Sequence, residues 1–215
     1  MISPSFTELK RLGEQDHALL TSTLDTVPVH RITGDIVGKV IKCYDADTIT
    51  LAFRTGPTEP IYKYQIRICF YDAAEMKGGT AAERKLARMA RERVNDLLYE
   101  KLVIFQPEAA PDKYGRLLGK IWFWSESKTG GTGEWKDIAE ELFEANLVNK
   151  YSGGTKEGFA KLIELHGLVE GQCAHEEEQL KLEHHKIMAE KAKVRAAAKR
   201  KEKYRHMESE EVLVD

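Results

Sequence analysis

Residues 36–53 read IVGKVIKCYDADTITLAF, and this stretch decides the fold. Ile36, Val37, Val40 and Ile41 are β-formers, Asp45-Ala46-Asp47 breaks the run, and residues 48–53 resume it. Thr55-Gly56-Pro57 marks a turn, and a third strand-like run extends from Ile61 to Tyr71. Three such runs in succession predict a meander. After Gly78-Gly79 the period changes. Thr80 can cap a helix with Glu83 three residues on, and Leu86, Met89, Ala90, Val94, Leu97 and Leu98 recur at three- and four-residue spacing. Leu102–Phe105 and Leu117–Trp124 return to strand character on either side of the turn Pro111-Asp112-Lys113-Tyr114-Gly115. A helix is expected from about Glu134 to Glu144, with Asn146 as its left-handed stop, and a last packing helix from Lys156 to Leu168.

These elements predict an α+β domain built on a five-stranded antiparallel sheet with inserted helices. A sheet that small hides its edges most economically by closing into an OB-type barrel. The expected division is an N-terminal helical arm over 1–31, a barrel domain over 32–170 and a charged C-terminal helix over 171–215. Ser5 could cap the arm's helix and Pro28 would stop it. Beyond Gly171 the chain is rich in Glu, Lys and Ala and lacks proline, which predicts one long helix. Cys173, Leu180, Ile187 and Val194 repeat every seven residues, but the companion positions are polar, so residues 173–194 offer only half a coiled-coil seam. A monomer is the expected state.

Charge is distributed unevenly. The chain as a whole carries −2, whereas residues 181–206 hold ten Lys/Arg against three Asp/Glu. Four acids occupy the last nine residues, which leaves the body mildly acidic at −5. The basic arm could tether a polyanion, or be a solvated helix or localisation signal centred on Lys199-Arg200-Lys201. No apolar run approaches a membrane span, so no membrane partner is expected. Glu8, Lys10, Arg11, Glu14 and Asp16 stand where a signal peptide would need apolar residues, and an intracellular location is expected. Cys43, Cys69 and Cys173 form neither a disulfide framework nor a zinc spacing, consistent with a reducing compartment.

Three blocks carry polar residues that a barrel alone would not need. They are Tyr44-Asp45-Ala46-Asp47-Thr48, the segment from Arg67 to Glu75, and Asp112-Lys113-Tyr114-Gly115-Arg116. Asp47 and Asp72 are short carboxylates at strand ends, suited to a hard divalent cation with waters and a backbone carbonyl. Glu75, three residues past Asp72, could orient or deprotonate a water beside that ion. Arg67 and Arg116 are planar cations that match a phosphate bidentately. Together these groups make a set for phosphodiester hydrolysis. The competing readings are bland. Asp45-Ala46-Asp47 alone is a solvated turn, and Arg67 could sit at an edge or pair with Glu75.

The order Asp-x-Asp-Thr, Arg-x4-Asp-x-x-Glu and Asp-Lys-Tyr-Gly-Arg resembles the staphylococcal nuclease (thermonuclease) family, over about 120 residues from Gly38 to Tyr151. The resemblance implies an OB-fold, calcium-dependent nuclease acting on DNA and RNA, cutting the bond to the 5′ oxygen and leaving 3′-phosphate ends. It makes Asp47 and Asp72 calcium ligands, with Ala73 giving its carbonyl. Arg67, Arg116 and Glu75 become the catalytic residues. Lys113, Tyr114 and Tyr151 match substrate-contacting positions, and Asp45 and Thr48 stand beside the metal without ligating it. The family usually has glycine where this chain has Ala46 and proline where it has Ala74. A position 46 that required positive φ would strain the first loop. A module that kept the barrel but lost catalysis is the alternative function.

Overall fold

The computed structural model describes residues 32, 34–56, 58–109, 111–126 and 133–211. The arm expected over 1–31 lies outside the described residues. From residue 34 on, the chain forms one compact unit. Its elements in order are β1 (Ile36–Cys43), β2 (Thr48–Phe53), β3 (Tyr62–Ile68), β4 (Tyr71–Asp72), α1 (Ala81–Leu98), β5 (Leu102–Ala109) and β6 (Leu117–Ser125). There follow β7 (Glu134–Asp137), α2 (Ile138–Glu144), β8 (Asn149–Lys150), α3 (Ala160–Leu165) and α4 (Glu170–Glu211).

The main sheet runs β3-β2-β1-β5-β6-β7, and a further pairing of β3 with β6 closes five strands into a barrel. The fold is therefore α+β of the OB type. The meander β1-β2-β3 is antiparallel throughout, with Thr48 opposite Arg67 and Phe53 opposite Tyr62. The closing pair differs from the expected all-antiparallel sheet: β3 and β6 run parallel, with Ile66, Arg67 and Ile68 opposite Leu117, Leu118 and Gly119. Closure leaves an inside, and Val40, Ile49, Leu51, Ile66, Val103, Phe105 and Ile121 fill it without exposure. On α1, Leu86, Ala87, Ala90, Val94 and Leu98 form the buried stripe, while Met89 and Leu97 are only half-buried.

Where strand and helix were expected, four boundaries move. The third run breaks at Cys69-Phe70, because Phe70 takes φ 74 and turns the chain out of β3 into β4. Residues 134–137, expected to begin a helix, form β7 instead. There Trp135 opposes Trp124 across the sheet, their rings meeting edge to face at 5.5 Å. The helix starts only after Asp137, whose carboxylate accepts the Ala139 N–H at 2.9 Å as its cap. The helix expected over 156–168 is confined to Ala160–Leu165. At the other end of α2, Asn146 takes φ 54 and ends the helix as expected.

Two carboxylates tie the N-terminus of α1. Thr80 and Glu83 make the reciprocal capping box, at 3.1 Å and 2.8 Å. Glu170, from the start of α4, accepts the N–H groups of Ala81 and Ala82, each at 2.8 Å. The same turns of α4 bring Glu177 to Arg84 at 2.8 Å and Glu176 to Lys85 at 2.9 Å, and bury Cys173 against Ala81 and Ala82. Cys173, the first residue of the seven-residue repeat, thus packs within the chain. Leu180, Ile187 and Val194 are each more than half exposed. No described helix is long and apolar enough to cross a membrane.

Gly119 of β6 stands opposite Pro107 of β5. A Cβ there would lie 2.2 Å from the carbonyl oxygen of Gln106 and 2.5 Å from the Phe105 ring. Gly119→Ala is expected to cost about 3 kcal/mol or more, read from urea melts, because backbone must move at the seam that closes the barrel. The docking of α4 has a pH dependence. Its hydrogen bonds to Arg84 and then Lys181 hold Glu177 down to about 2, below the ordinary carboxylate value of 4.5. The stabilisation is complete above about pH 4.5 and is lost as pH falls toward 2. Protection of the Ala81 and Ala82 amides, taken relative to their intrinsic exchange rates, should fall over that window, and Glu177→Gln should flatten the dependence.

Candidate active site

The site begins with the loop between β1 and β2. Tyr44 and Asp45 donate their N–H groups to the Thr48 carbonyl, and Asp45 accepts the Asp47 N–H at 3.2 Å. Tyr71, fully buried in β4, donates its hydroxyl to the Ala46 carbonyl at 2.6 Å and fixes the loop from below. Burial foremost holds the Tyr71 hydroxyl well above its ordinary value, so it stays a donor. Ala46 is buried and is not among the positive-φ residues, so the alanine introduces no strain at the glycine position of the family.

Asp47 and Asp72 are almost completely buried, and both face the guanidinium of Arg67. Arg67 pairs closely with Asp47 through one nitrogen and stands 3.8 Å from Asp72 through another. The expected alternative partner, Glu75, does not hold Arg67; the two aspartates do. Burial pushes the Asp47 carboxyl above the ordinary carboxylate range, against the pull of Arg67. Asp72 also receives Lys156 at 2.6 Å. Nothing in the local sequence marks Lys156, which follows the glycines at 153 and 154 and lies 84 residues from Asp72.

Arg116 enters from the turn between β5 and β6. Asp112 holds it twice, at 2.8 Å through Nε and 2.7 Å through a terminal nitrogen. The other oxygen of Asp112 accepts the N–H groups of Tyr114 and Arg116. Burial opposes ionisation of Asp112, but these hydrogen bonds prevail and bring its carboxyl below the ordinary range. The free arm of Arg116 donates to the Thr48 hydroxyl at 3.3 Å, and Thr48 donates to Asp47 at 2.9 Å. Arg67 and Arg116 therefore converge on Asp47 from opposite strands, one directly and one through Thr48.

The remaining expected residues are placed around this cluster. Ala73 and Ala74 are buried behind Asp72, and Glu75 emerges exposed. Tyr114 is 71% exposed, with Lys113 and Arg116 over its ring. Tyr151 donates its N–H to the Phe70 carbonyl at 2.9 Å. It lines a cavity of about 300 Å³ with Arg67, Ile68, Phe70, Leu118 and Glu108. Phe70 is an apolar residue within the second block and Glu108 lies outside all three, so neither is marked by its local sequence.

The donors test the implied calcium directly. Two buried carboxylates meet at one cation, and burial of Asp47 is unfavourable without positive charge beside it. All side-chain donors are oxygens, which suits a hard divalent ion. Among the described residues no group of three or more His, Cys, Asp or Glu could hold a metal. The set that fits is two carboxylates completed by carbonyl and water.

The family model described as Staphylococcal nuclease homologue matches residues 65–203. No curated protein matches the chain. The matched span holds the end of β3, the closing strand β6, Arg67, Asp72, Glu75 and Arg116, and extends along α4. A match over more than half of the sequence, on a chain whose strands close into this barrel, establishes that the protein belongs to the staphylococcal nuclease homologue family.

Proposed function

We propose that the protein is a calcium-dependent nuclease that hydrolyses phosphodiester bonds of DNA and RNA. The observation that carries this reading is the convergence of Arg67 and Arg116 on the Asp47–Asp72 pair. Two guanidiniums linked to the same carboxylate, one directly and one through Thr48, can bind a phosphate and stabilise the charge that builds on its oxygens during attack. Asp47, Asp72 and the Ala73 carbonyl would hold calcium, which when bound supplies Lewis-acid stabilisation of that charge. Glu75, exposed at the end of the same loop, would take the proton of the attacking water. The phosphorus–O5′ bond then breaks, leaving a 3′ phosphate, and the departing 5′ oxygen takes a proton from solvent. Lys113, Tyr114 and Tyr151 line the approach and would contact substrate. Asp45 and Thr48 hold the loop and the hydroxyl bridge to Arg116.

One observation favours a second reading, a module that binds nucleic acid without cutting it. Arg67 and Lys156 already neutralise Asp72 and Asp47, so the carboxylate pair has its positive charge without a metal. The division into an arm, a nuclease domain over 32–170 and a charged helix belongs with either reading.

Cleavage of plasmid and RNA with and without calcium decides between them. The expected outcome is calcium-dependent cleavage with 3′-phosphate ends; full activity in chelator, or 5′-phosphate ends only, overturns the mechanism. Arg116→Ala and Glu75→Ala should each lower kcat by about 10²-fold or more, and Asp47→Ala should first raise the calcium requirement. Arg67→Ala also strips buried Asp47 of its cation, leaves Asp72 with Lys156 alone, and should cost about 3 kcal/mol of stability. Arg67→Lys keeps the charge, so a rate loss with little change in melting assigns it to catalysis. Wild-type rates in all these folded variants would overturn the site assignment, whereas no cleavage by the wild type would leave the binding module.

The charged helix adds attraction that a body of −5 lacks. Its first turns are docked on α1, so truncation after Gln179 removes the exposed basic part and spares Glu170, Cys173 and Glu177. The shortened protein should bind single-stranded DNA more weakly at low salt, with a shallower dependence of affinity on salt. Turnover at saturating substrate should be unaffected.

A further inference from the structure

The arginine–carboxylate cluster lies between two cavities. One, beside Arg67, has apolar walls from Ile68, Phe70 and Leu118. The other is larger, about 390 Å³, and is lined by Lys42, Tyr44, Asp45, Glu75, Lys77 and Arg91. It touches the cluster at two points. Asp45 accepts the Asp47 N–H, and Glu75 ends the loop that carries Asp72.

Three cations outnumber two carboxylates, Asp45 and Glu75, in the lining of this second cavity. Lys42 comes from β1, Lys77 from the loop before α1 and Arg91 from α1 itself, and all three are exposed. None belongs to an ion pair among the described residues. Arg84, Arg93 and Arg116, by contrast, are each paired with a carboxylate. Arg91 acts inward: burial pushes the Cys43 thiol up to about 11, and the charge of Arg91 opposes that rise. Tyr44, 58% exposed, offers a flat face beside them with the Lys42 ammonium 5.4 Å from its ring centre.

We propose that this cavity binds the sugar-phosphate backbone of a single nucleic-acid strand as it leaves the phosphate held by Arg67 and Arg116. Lys42, Lys77 and Arg91 contact its phosphates, and Tyr44 stacks on a base. The inference rests on the proposed nuclease reading. A phosphate inside a strand has two flanks. The cavity beside Arg67 can receive one, and the other must pass on the side of Glu75, where the acidic body would repel it but for these three cations. A site built in this way takes internal phosphates, so cleavage within a strand follows. Base stacking on Tyr44 is sequence-tolerant, since every base has an aromatic face.

The test is binding rather than cleavage, on the full chain, in chelator. Fluorescence anisotropy is read with end-labelled single-stranded DNA of four and of twelve nucleotides. Wild type should bind the longer strand more tightly, and the triple variant Lys42→Ala, Lys77→Ala, Arg91→Ala should lose about tenfold or more of that advantage. Its plot of log affinity against log salt should be shallower by about two units, at roughly 0.7 per phosphate contact. The charge-keeping variant Lys42→Arg, Lys77→Arg, Arg91→Lys should restore most of both, which a merely misfolded protein would not. Unchanged affinity for the longer strand across salt in the alanine variant overturns the proposal. If wild type binds as expected but cuts nothing with calcium, the nuclease reading fails while the cavity assignment stands.

Discussion

Two carboxylates buried at the mouth of a barrel require a cation, and Arg67 supplies it. A charged group taken out of water without a partner is costly, and removing one member of a buried pair leaves the full penalty on the other. Asp47 and Asp72 come from different segments, the loop before β2 and the short strand β4, and each is nearly inaccessible. Arg67 can reach both only because it stands on β3, opposite Thr48 and two residues before the turn that carries the chain to β4. The strand pairing and the site are thus one construction. Moving β3 by a single residue would aim Arg67 at the other face of the sheet and leave Asp47 unmatched.

Two backbone features hold that construction in place. Phe70 adopts a left-handed conformation that bulky residues seldom take, at a cost of about 1–3 kcal/mol. Its carbonyl accepts the Tyr151 N–H, and Cys69 before it donates to the Gly119 carbonyl. The strained turn is therefore clamped on both sides, and it ends β3 in time to bring Tyr71 under Ala46 and Asp72 beside Arg67. Gly119 is the second feature. Only a residue without a Cβ allows β6 to lie against Gln106 and Phe105 while pairing with β3. The barrel closes there, and Arg116, three residues earlier, reaches Thr48 as a consequence.

Away from the mouth, electrostatics joins the beginning of α4 to α1. Glu170 fills the two N–H groups that the capping box leaves open, and Glu176 and Glu177 pair with Lys85 and Arg84 one turn further along. Acidic side chains at the positive end of α1 leave the basic length of α4 projecting from the body. The same surface leaves Lys42, Lys77 and Arg91 without such partners among the described residues, and these face the cavity next to Glu75.

Local rules were enough for much of this protein. Runs of β-formers between turn signals marked β1, β2 and β3, the Thr80–Glu83 box marked the start of α1, and Asn146 marked the end of α2, because each depends on neighbours within a few residues. The order of three polar blocks carried the candidate site, since Asp47, Asp72, Glu75, Arg67 and Arg116 lie in short recognisable segments. Contacts across long separations had no such mark. Glu134–Asp137 sits between a glycine-rich stretch and a helix, and only the facing Trp124 makes it a strand. The parallel pairing of β3 with β6, the approach of Lys156 to Asp72 and the choice of Asp47 and Asp72 over Glu75 as partners of Arg67 are all set by closure of the barrel. So is the gathering of Lys42, Lys77 and Arg91 from three elements around one cavity. Sequence spacing fixes what a residue meets along its own helix or strand, whereas what it meets from elsewhere depends on how those elements pack.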